Sequence, residues 1–271
     1  MALTPVAESN LITAADTHPG ESGKNNEDNY AVCYFKAEDG APVTLAVVAD
    51  GVGGNRAGEV ASALAVRSVI VQVQLSNNAG DYQEIFQQAM EYAAQTIAEQ
   101  VRTNFDYAGM STTCAVALVW GYRLYIGYLG DSRIYFLRDG VIRQISVDHT
   151  WLQAALEHKL ISREEAPYHP NQHVLLRYLG AKVNAKPDLR LMLKDGLTQD
   201  EAESNQGMRL LPGDTILLCS DGLSDLVEAD ELANIIMHNS LTQAVQALIG
   251  LARERGGHDN ITVVLLHLPE K

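Results

Sequence analysis

Four apolar segments of this chain abut an aspartate: Val47-Val48-Ala49-Asp50-Gly51, Tyr128-Leu129-Gly130-Asp131, Leu218-Cys219-Ser220-Asp221-Gly222, and His258-Asp259-Asn260 just ahead of Ile261. A carboxylate at the end of a buried strand is expensive to pack unless it caps, pairs or binds a cation. One such residue reads as a turn or helix-capping aspartate. Four of them, with Asn26-Glu27-Asp28 as a fifth acidic cluster, read instead as a shared cation site. Such a site requires a fold that gathers these strand ends in one place.

The surrounding pattern supplies the elements. Strand-like runs cover Leu11–Thr17, Tyr30–Lys36 and Val43–Ala49, the last apolar enough to be buried on both faces. Helical spacing follows over Ala57–Leu75, through Val60, Leu64 and Val71, and over Tyr82–Phe105, through Phe86, Ala89, Ala93, Ile97 and Val101. From Ser111 a meander of strands is predicted over 113–120, 123–128, 133–138 and 141–145, punctuated by Gly121, Gly130 and Asp139-Gly140. A polar, His-containing segment spans 149–180, a strand is expected over 189–193, and 195–207 reads as an acidic loop insert. A strand at 215–219, helices near 230–238 and 241–255, and a closing strand at 261–266 complete the chain. This order predicts antiparallel sheets covered by helices, not a regular βαβ series.

Composition narrows the function. The 271 residues are 46% hydrophobic, enough for a substantial core, and one domain over 1–271 is expected, with only residues 1–10 as a loose tail. A formal net charge of −14 disfavours nucleic-acid binding through phosphate contacts. The three cysteines, Cys33, Cys114 and Cys219, lie in apolar runs and suit reduced, buried thiols. With no signal-like start and no apolar stretch of bilayer length, a cytoplasmic protein without membrane attachment is expected. Oxygen donors unaccompanied by paired His or Cys suit a hard ion, Mg²⁺ or Mn²⁺, over zinc. Two such ions can share a carboxylate and hold a water in line with a phosphorus.

The motifs occur in a recognisable series: Gly20, Asn26-Glu27-Asp28, Val48 through Glu59, Ser111-Thr112-Thr113, Gly130-Asp131-Ser132-Arg133, Asp148-His149-Thr150, His169-Pro170, Ser220 through Asp225, and Asp259 through Val264. In this order and at these distances, over almost the whole chain, they resemble the PP2C family of metal-dependent protein serine/threonine phosphatases, in its bacterial form. The resemblance implies an α+β fold, a four-layer αββα sandwich of two central antiparallel sheets flanked by helices. It implies that Asp50 bridges two Mn²⁺ or Mg²⁺ ions, that the Gly51 carbonyl binds one, and that Asp221 and Asp259 hold the other. Glu27 and Asp28 would act through water, and Asp131 would join Asp221 at a third, weaker ion. Residues 149–180 would form a flap beside the site. Phosphorylated proteins, substrates of a Ser/Thr kinase, are the implied partners, and a monomer is expected. A cysteine-based mechanism would need an arginine closing a short loop, but the sixth residue after each cysteine is Asp39, Trp120 or Asp225.

Three positions depart from the family pattern. The arginine that grips substrate phosphate, three residues before Asn26, is replaced by Gly23, leaving Lys24 or Arg56 as candidate phosphate contacts. Val52 stands where eukaryotic-type members have a histidine proposed as general acid, and Asn55 replaces a histidine after the double glycine. Water or another group would then protonate the leaving oxygen, unless His149 or His258 does so; both read first as surface histidines or as supports behind the ligands, and Arg133 reads as a structural ion-pair partner before a substrate contact. Two rival readings are a pseudophosphatase that keeps the fold as a binding module, and a hydrolase of small phosphorylated metabolites. Intact Asp50, Asp221 and Asp259 argue against the first, because a scaffold has no need of that buried charge.

Overall fold

A computed structural model describes residues 2–53, 57–162, 164–166, 169–180 and 185–270. In chain order the elements are β1 (Thr4–Pro5), β2 (Ile12–His18), β3 (Asn29–Lys36), β4 (Pro42–Ala49), β5 (Gly51–Val52), α1 (Ala57–Leu75), α2 (Tyr82–Thr103), β6 (Ser111–Thr112), β7 (Cys114–Trp120), β8 (Arg123–Leu129), β9 (Arg133–Arg138) and β10 (Val141–Gln144). There follow α3 (Trp151–Glu157), β11 (Leu179–Gly180), α4 (Gln199–Ser204), β12 (Met208–Arg209), β13 (Thr215–Cys219), α5 (Asp221–Ser224), α6 (Ala229–His238), α7 (Leu241–Glu254) and β14 (Ile261–His267).

Strand alternation builds four layers. One sheet runs β1-β3-β4-β7-β8-β12 and a second β10-β9-β13-β14-β2, with a small third sheet β11-β6-β5. In β4, Val43, Leu45 and Val47 face the layer of α1 and α2, where Ala61, Ala65, Phe86 and Ala89 meet them. The intervening Ala46 and Val48 face the other sheet, joining Ala115, Ala117, Ile126, Ile134, Leu218 and Val264 in the inter-sheet core. In β14 the same period sends Val263 and Leu265 outward against Leu232, Leu248 and Ala252 of α6 and α7. The result is the αββα sandwich that the resemblance implied.

Three expectations are corrected. The tail expected over 1–10 is not loose where it is described, from residue 2: Leu3 is buried, and Thr4 and Pro5 pair with Lys36 and Phe35. A two-residue strand is too short for periodicity to reveal, and edge pairing depends on the partner strand. The acidic insert 195–207 is not simply an exposed loop either. Thr198 and Glu201 form a reciprocal capping box that starts α4, whose Ala202 is fully buried. Just beyond it the Gln206 side chain bonds both the N–H and the carbonyl of Ile126. The strand expected at 189–193 is reduced to backbone pairing between Tyr128 and Asp188.

Antiparallel register is what assembles the acidic residues. Asn29 at the start of β3 pairs with Ala49 at the end of β4, which sets Asp28 beside Asp50. Cys219 ends β13 opposite both Val263 of β14 and Arg133 of β9, so Asp221, Asp259 and Asp131 leave their strands at one edge.

Candidate active site

Asp50 leaves β4 in a fixed posture. Its N–H donates to Thr113 Oγ1 at 2.8 Å, and its carbonyl accepts from Thr113 N and Thr112 Oγ1, each at 2.8 Å. Thr113 Oγ1 also meets Ser132 Oγ at 2.6 Å, coupling this turn to the Asp131 loop. Gly51 is dictated by close approach: a Cβ there would lie 2.2 Å from the Gly58 carbonyl oxygen and 2.7 Å from that of Glu27. The N-terminal end of α1 can therefore press onto the turn, where a Cβ on Gly58 would lie 2.8 Å from the Glu27 carboxyl carbon. Gly222 plays the same part on the other side, since a Cβ would sit 2.0 Å from the Asn260 oxygen.

Asn260 stitches the loops together. Its Oδ1 accepts from the Glu27 N–H at 2.7 Å, while its Nδ2 donates to the carbonyls of Pro19 and Asn25 at 3.0 and 3.1 Å. Asp28 lies deeper: its Oδ2 accepts from Ser220 Oγ at 2.7 Å and Thr262 Oγ1 at 2.6 Å.

Lys24, Glu27, Asp50, Gly51, Val52, Asp131, His173, Asp221 and Asp259 line one cavity of about 300 Å³. Asp28 stands behind that lining. Arg56 lies outside the described residues. His149 does not face the cavity; it is buried, with Nδ1 accepting from the Gly130 N–H at 3.1 Å and Nε2 at 3.0 Å from Asp188. Arg133 is engaged by Asp148, whose Oδ2 lies 2.9 Å from its Nε and 2.7 Å from a terminal nitrogen. Sequence reasoning misses His173 as a cavity residue, and it includes Asn260 only as part of a motif. The spacing of His173 from any aspartate carries no local signal, whereas Asp259-Asn260-Ile261-Thr262 already holds the clue to Asn260.

The electrostatics are those of an uncompensated acidic centre. Burial, then the charges of Asp28, Asp221, Asp131 and Asp259, push the Asp50 carboxyl well above the usual range. Burial also dominates at Asp28, raised to about 7, at Asp131, raised to about 8, and at Asp221, raised to about 6. Asp28 Oδ1 and Asp221 Oδ1 are buried without a hydrogen-bond partner. Lys24 is the one lysine or arginine among the described lining residues. Converging carboxylates with orphaned oxygens fit a hard divalent cation, which supplies the charge that the chain withholds.

The comparisons agree with this chemistry. The model of the family described as protein phosphatase 2C matches residues 17–261. A serine/threonine phosphatase of Listeria monocytogenes, Stp, is 32% identical over 254 residues, covering 92% of this chain and 93% of its own. The phosphatase PstP of Mycobacterium tuberculosis is 34% identical over 256 residues, 94% of this chain and 44% of its own. The crystal structure of PstP/Ppp superposes with a TM-score of 0.81 at 33% identity, covering 96% of this chain and 99% of that one. The catalytic domain of PstP with two manganese ions gives a TM-score of 0.78 at 32% identity, again over 96% and 99%. With its motif order, its four-layer fold and its acidic cavity thus accounted for, the chain belongs to the protein phosphatase 2C family and is a metal-dependent protein serine/threonine phosphatase.

Proposed function

We propose that this chain hydrolyses phosphoserine and phosphothreonine esters in proteins at the cavity bordered by Asp50, Asp221 and Asp259. The observation that carries the assignment of residues is the gathering of five acidic side chains, from four loops and the start of α5, around a cavity to which the described chain brings a single lysine. Asp50 and the Gly51 carbonyl would hold one divalent cation, with Asp50 shared to a second that Asp221 and Asp259 complete. Glu27 and Asp28 would orient water around them, and Asp131 with Asp221 offers a third, weaker position. When bound, the cations supply an acidified water and offset charge on the phosphoryl oxygens.

The chain's own residues do the rest. Thr112 and Thr113 hold the Asp50 turn rigid, so its carboxylate need not reorganise when charge develops. Asn260 fixes the loop of Glu27 against that of Asp259. Lys24 borders the cavity and would approach substrate phosphate as a point charge, without the paired contacts of an arginine. Val52, 46% exposed at the rim, gives an apolar shoulder where an acid could otherwise stand, so the leaving oxygen takes its proton from water. Phosphorylated proteins made by Ser/Thr kinases are the partners this reading implies. Among the described residues no helix is long and apolar enough to cross a membrane.

The test is release of phosphate from a phosphothreonine peptide and from p-nitrophenyl phosphate, with Mn²⁺ and with chelator. Turnover should require the added ion. Full activity in metal-stripped protein would sink the mechanism.

A further inference from the structure

The segment between α3 and β11 brings His173 and Leu175 to the cavity wall, and of the two only His173 can bind a cation. Its Nδ1 lies 3.4 Å from Asp225 Oδ2. Donor atoms of His173, Asp221 and Asp225 all lie within 4.8 Å of one another. Asp221 adds an independent pointer, because its Oδ1 is buried and has no hydrogen-bond partner. We infer that His173 is a nitrogen ligand to a divalent cation held jointly with Asp221 and Asp225, so that this ion clasps the flap to the start of α5.

A cation with bonds of about 2.1 Å holds its donors roughly 3–4 Å apart, so the three groups need to close only slightly. The two carboxylates stand four residues apart, at the first turn of α5 and just after it, and are fixed by the Asp225 N–H bond to the Asp221 carbonyl at 2.8 Å. His173 has no such anchor. Its side chain is 55% exposed and its ring makes no other described polar contact, so it can approach or leave with the flap. Replacing one oxygen donor by imidazole moves the preference from Mg²⁺ toward Mn²⁺, which takes nitrogen more readily. The same ion would then sense whether the flap is closed over substrate. The alternative is a plain His173–Asp225 ion pair, which involves no metal.

The inference rests on the phosphatase reading only in taking Asp221 as a cation ligand, and the two can fail separately. The full chain loaded with Mn²⁺ should show electron spin-echo modulation from an imidazole nitrogen. That signal should vanish in His173→Ala and persist in His258→Ala, the control for the other histidine whose charge reaches Asp225. Calorimetry should find the Mn²⁺ that gives this signal lost, or bound at least roughly tenfold less tightly, in His173→Ala, the loss that removing even an outer partner of a ligand brings. Mg²⁺ binding should change less. Two tightly bound Mn²⁺ without a nitrogen signal, or a signal indifferent to His173, would overturn this site and leave the phosphatase reading standing. A wild-type chain that binds no Mn²⁺ at all would overturn both.

Discussion

Asp188 and Asp28 are buried to nearly the same degree, 7% and 5% exposed, yet the chain treats them in opposite ways. Around Asp188 the protein brings its own positive charge. Arg190 contacts it at 2.7 Å and Arg177 at 3.1 Å, and His149 Nε2 lies 3.0 Å away. Burial alone would raise that carboxyl, but the bonds from His149 and Arg190 outweigh it and hold it well below the usual carboxylate range. The Gly130 N–H occupies His149 Nδ1, so the neutral ring carries its proton on Nε2 and donates it to Asp188. Around Asp28 the chain brings hydroxyls and further carboxylates, and the group is pushed up to about 7, burial first. The Asp188 carboxylate is matched from within, whereas the group around Asp28 is left unmatched by the described chain, as the proposed cation site requires.

Removing one charge from each group tests that contrast most severely. Asp188→Asn leaves Arg190 beside an amide and should lower unfolding free energy by about 3 kcal/mol or more. Asp28→Asn, measured in chelator near pH 8, should leave stability unchanged or raise it. Equal losses in the two variants, read from denaturant titrations, would erase the distinction.

Next in size are the ligand substitutions. Asp50→Asn and Asp221→Asn should each lower turnover by at least ~100-fold, because each removes an anionic donor from ions that stabilise the transition state. Neither should weaken the Asp188 group. Near-normal rates in either variant would reassign the ligands.

The two groups also answer pH with opposite sign. Asp28, Asp131 and Asp221 have folded pKa values near 7, 8 and 6, above the unfolded value, so the chain without cations holds protons there that the unfolded chain releases. Their contribution is full below about pH 4, the unfolded carboxylate value, and is lost as pH rises through the folded values. Asp188, depressed, contributes above about pH 4 and loses that contribution only as pH falls below it. The melting temperature of chelated protein should therefore fall between about pH 5 and pH 8, by about 2–4 °C per kcal/mol released. Saturating Mn²⁺ should restore it at the upper end of that range. A chelated protein that gains stability over that range would contradict the assignment.

The smallest effects concern substrate phosphate. Gly23 has a φ of +74°, and a Cβ added there would meet nothing within 4 Å. Gly23→Arg therefore finds room for a side chain but strains the backbone by roughly 1–2 kcal/mol. It should lower KM for small esters with little change in kcat, at some loss of thermal stability. Lys24→Ala should raise KM several-fold, the scale of about 1 kcal/mol or less for an exposed charge pair. No kinetic change in Lys24→Ala, with protein folded and metal-loaded, would place the phosphate contact elsewhere.

Much of this was legible in residue order alone. The continuous apolar runs of Val43–Ala49 and Thr215–Cys219, buried on both faces, and the helical spacing in Ala57–Leu75 are local properties, set by which faces of a strand or helix can be buried. The five acidic motifs were legible too, because a carboxylate at the end of an apolar run needs a reason to be there. Other features depended on partners far away in the chain. Thr4–Pro5 is a strand only because Lys36 and Phe35 offer an edge, and residues 195–207 are anchored by distant partners, with Gln206 on Ile126, Asn205 on Leu191 and Gly207 on Leu124.

Residue order was thus enough for most strands and long helices and for the acidic motifs, which follow from burial patterns within a few residues, whereas the four layers came from the family resemblance that the ordered motifs carry. Packing in three dimensions was needed to settle which buried carboxylates receive an arginine and which do not, and to set His173 in the cavity wall beside Asp225. Asp188 and Asp28 each lie next to a strand or a strand pairing in sequence. What separates them is the company that register and loop path deliver, and the energy of a charge depends on its neighbours in space.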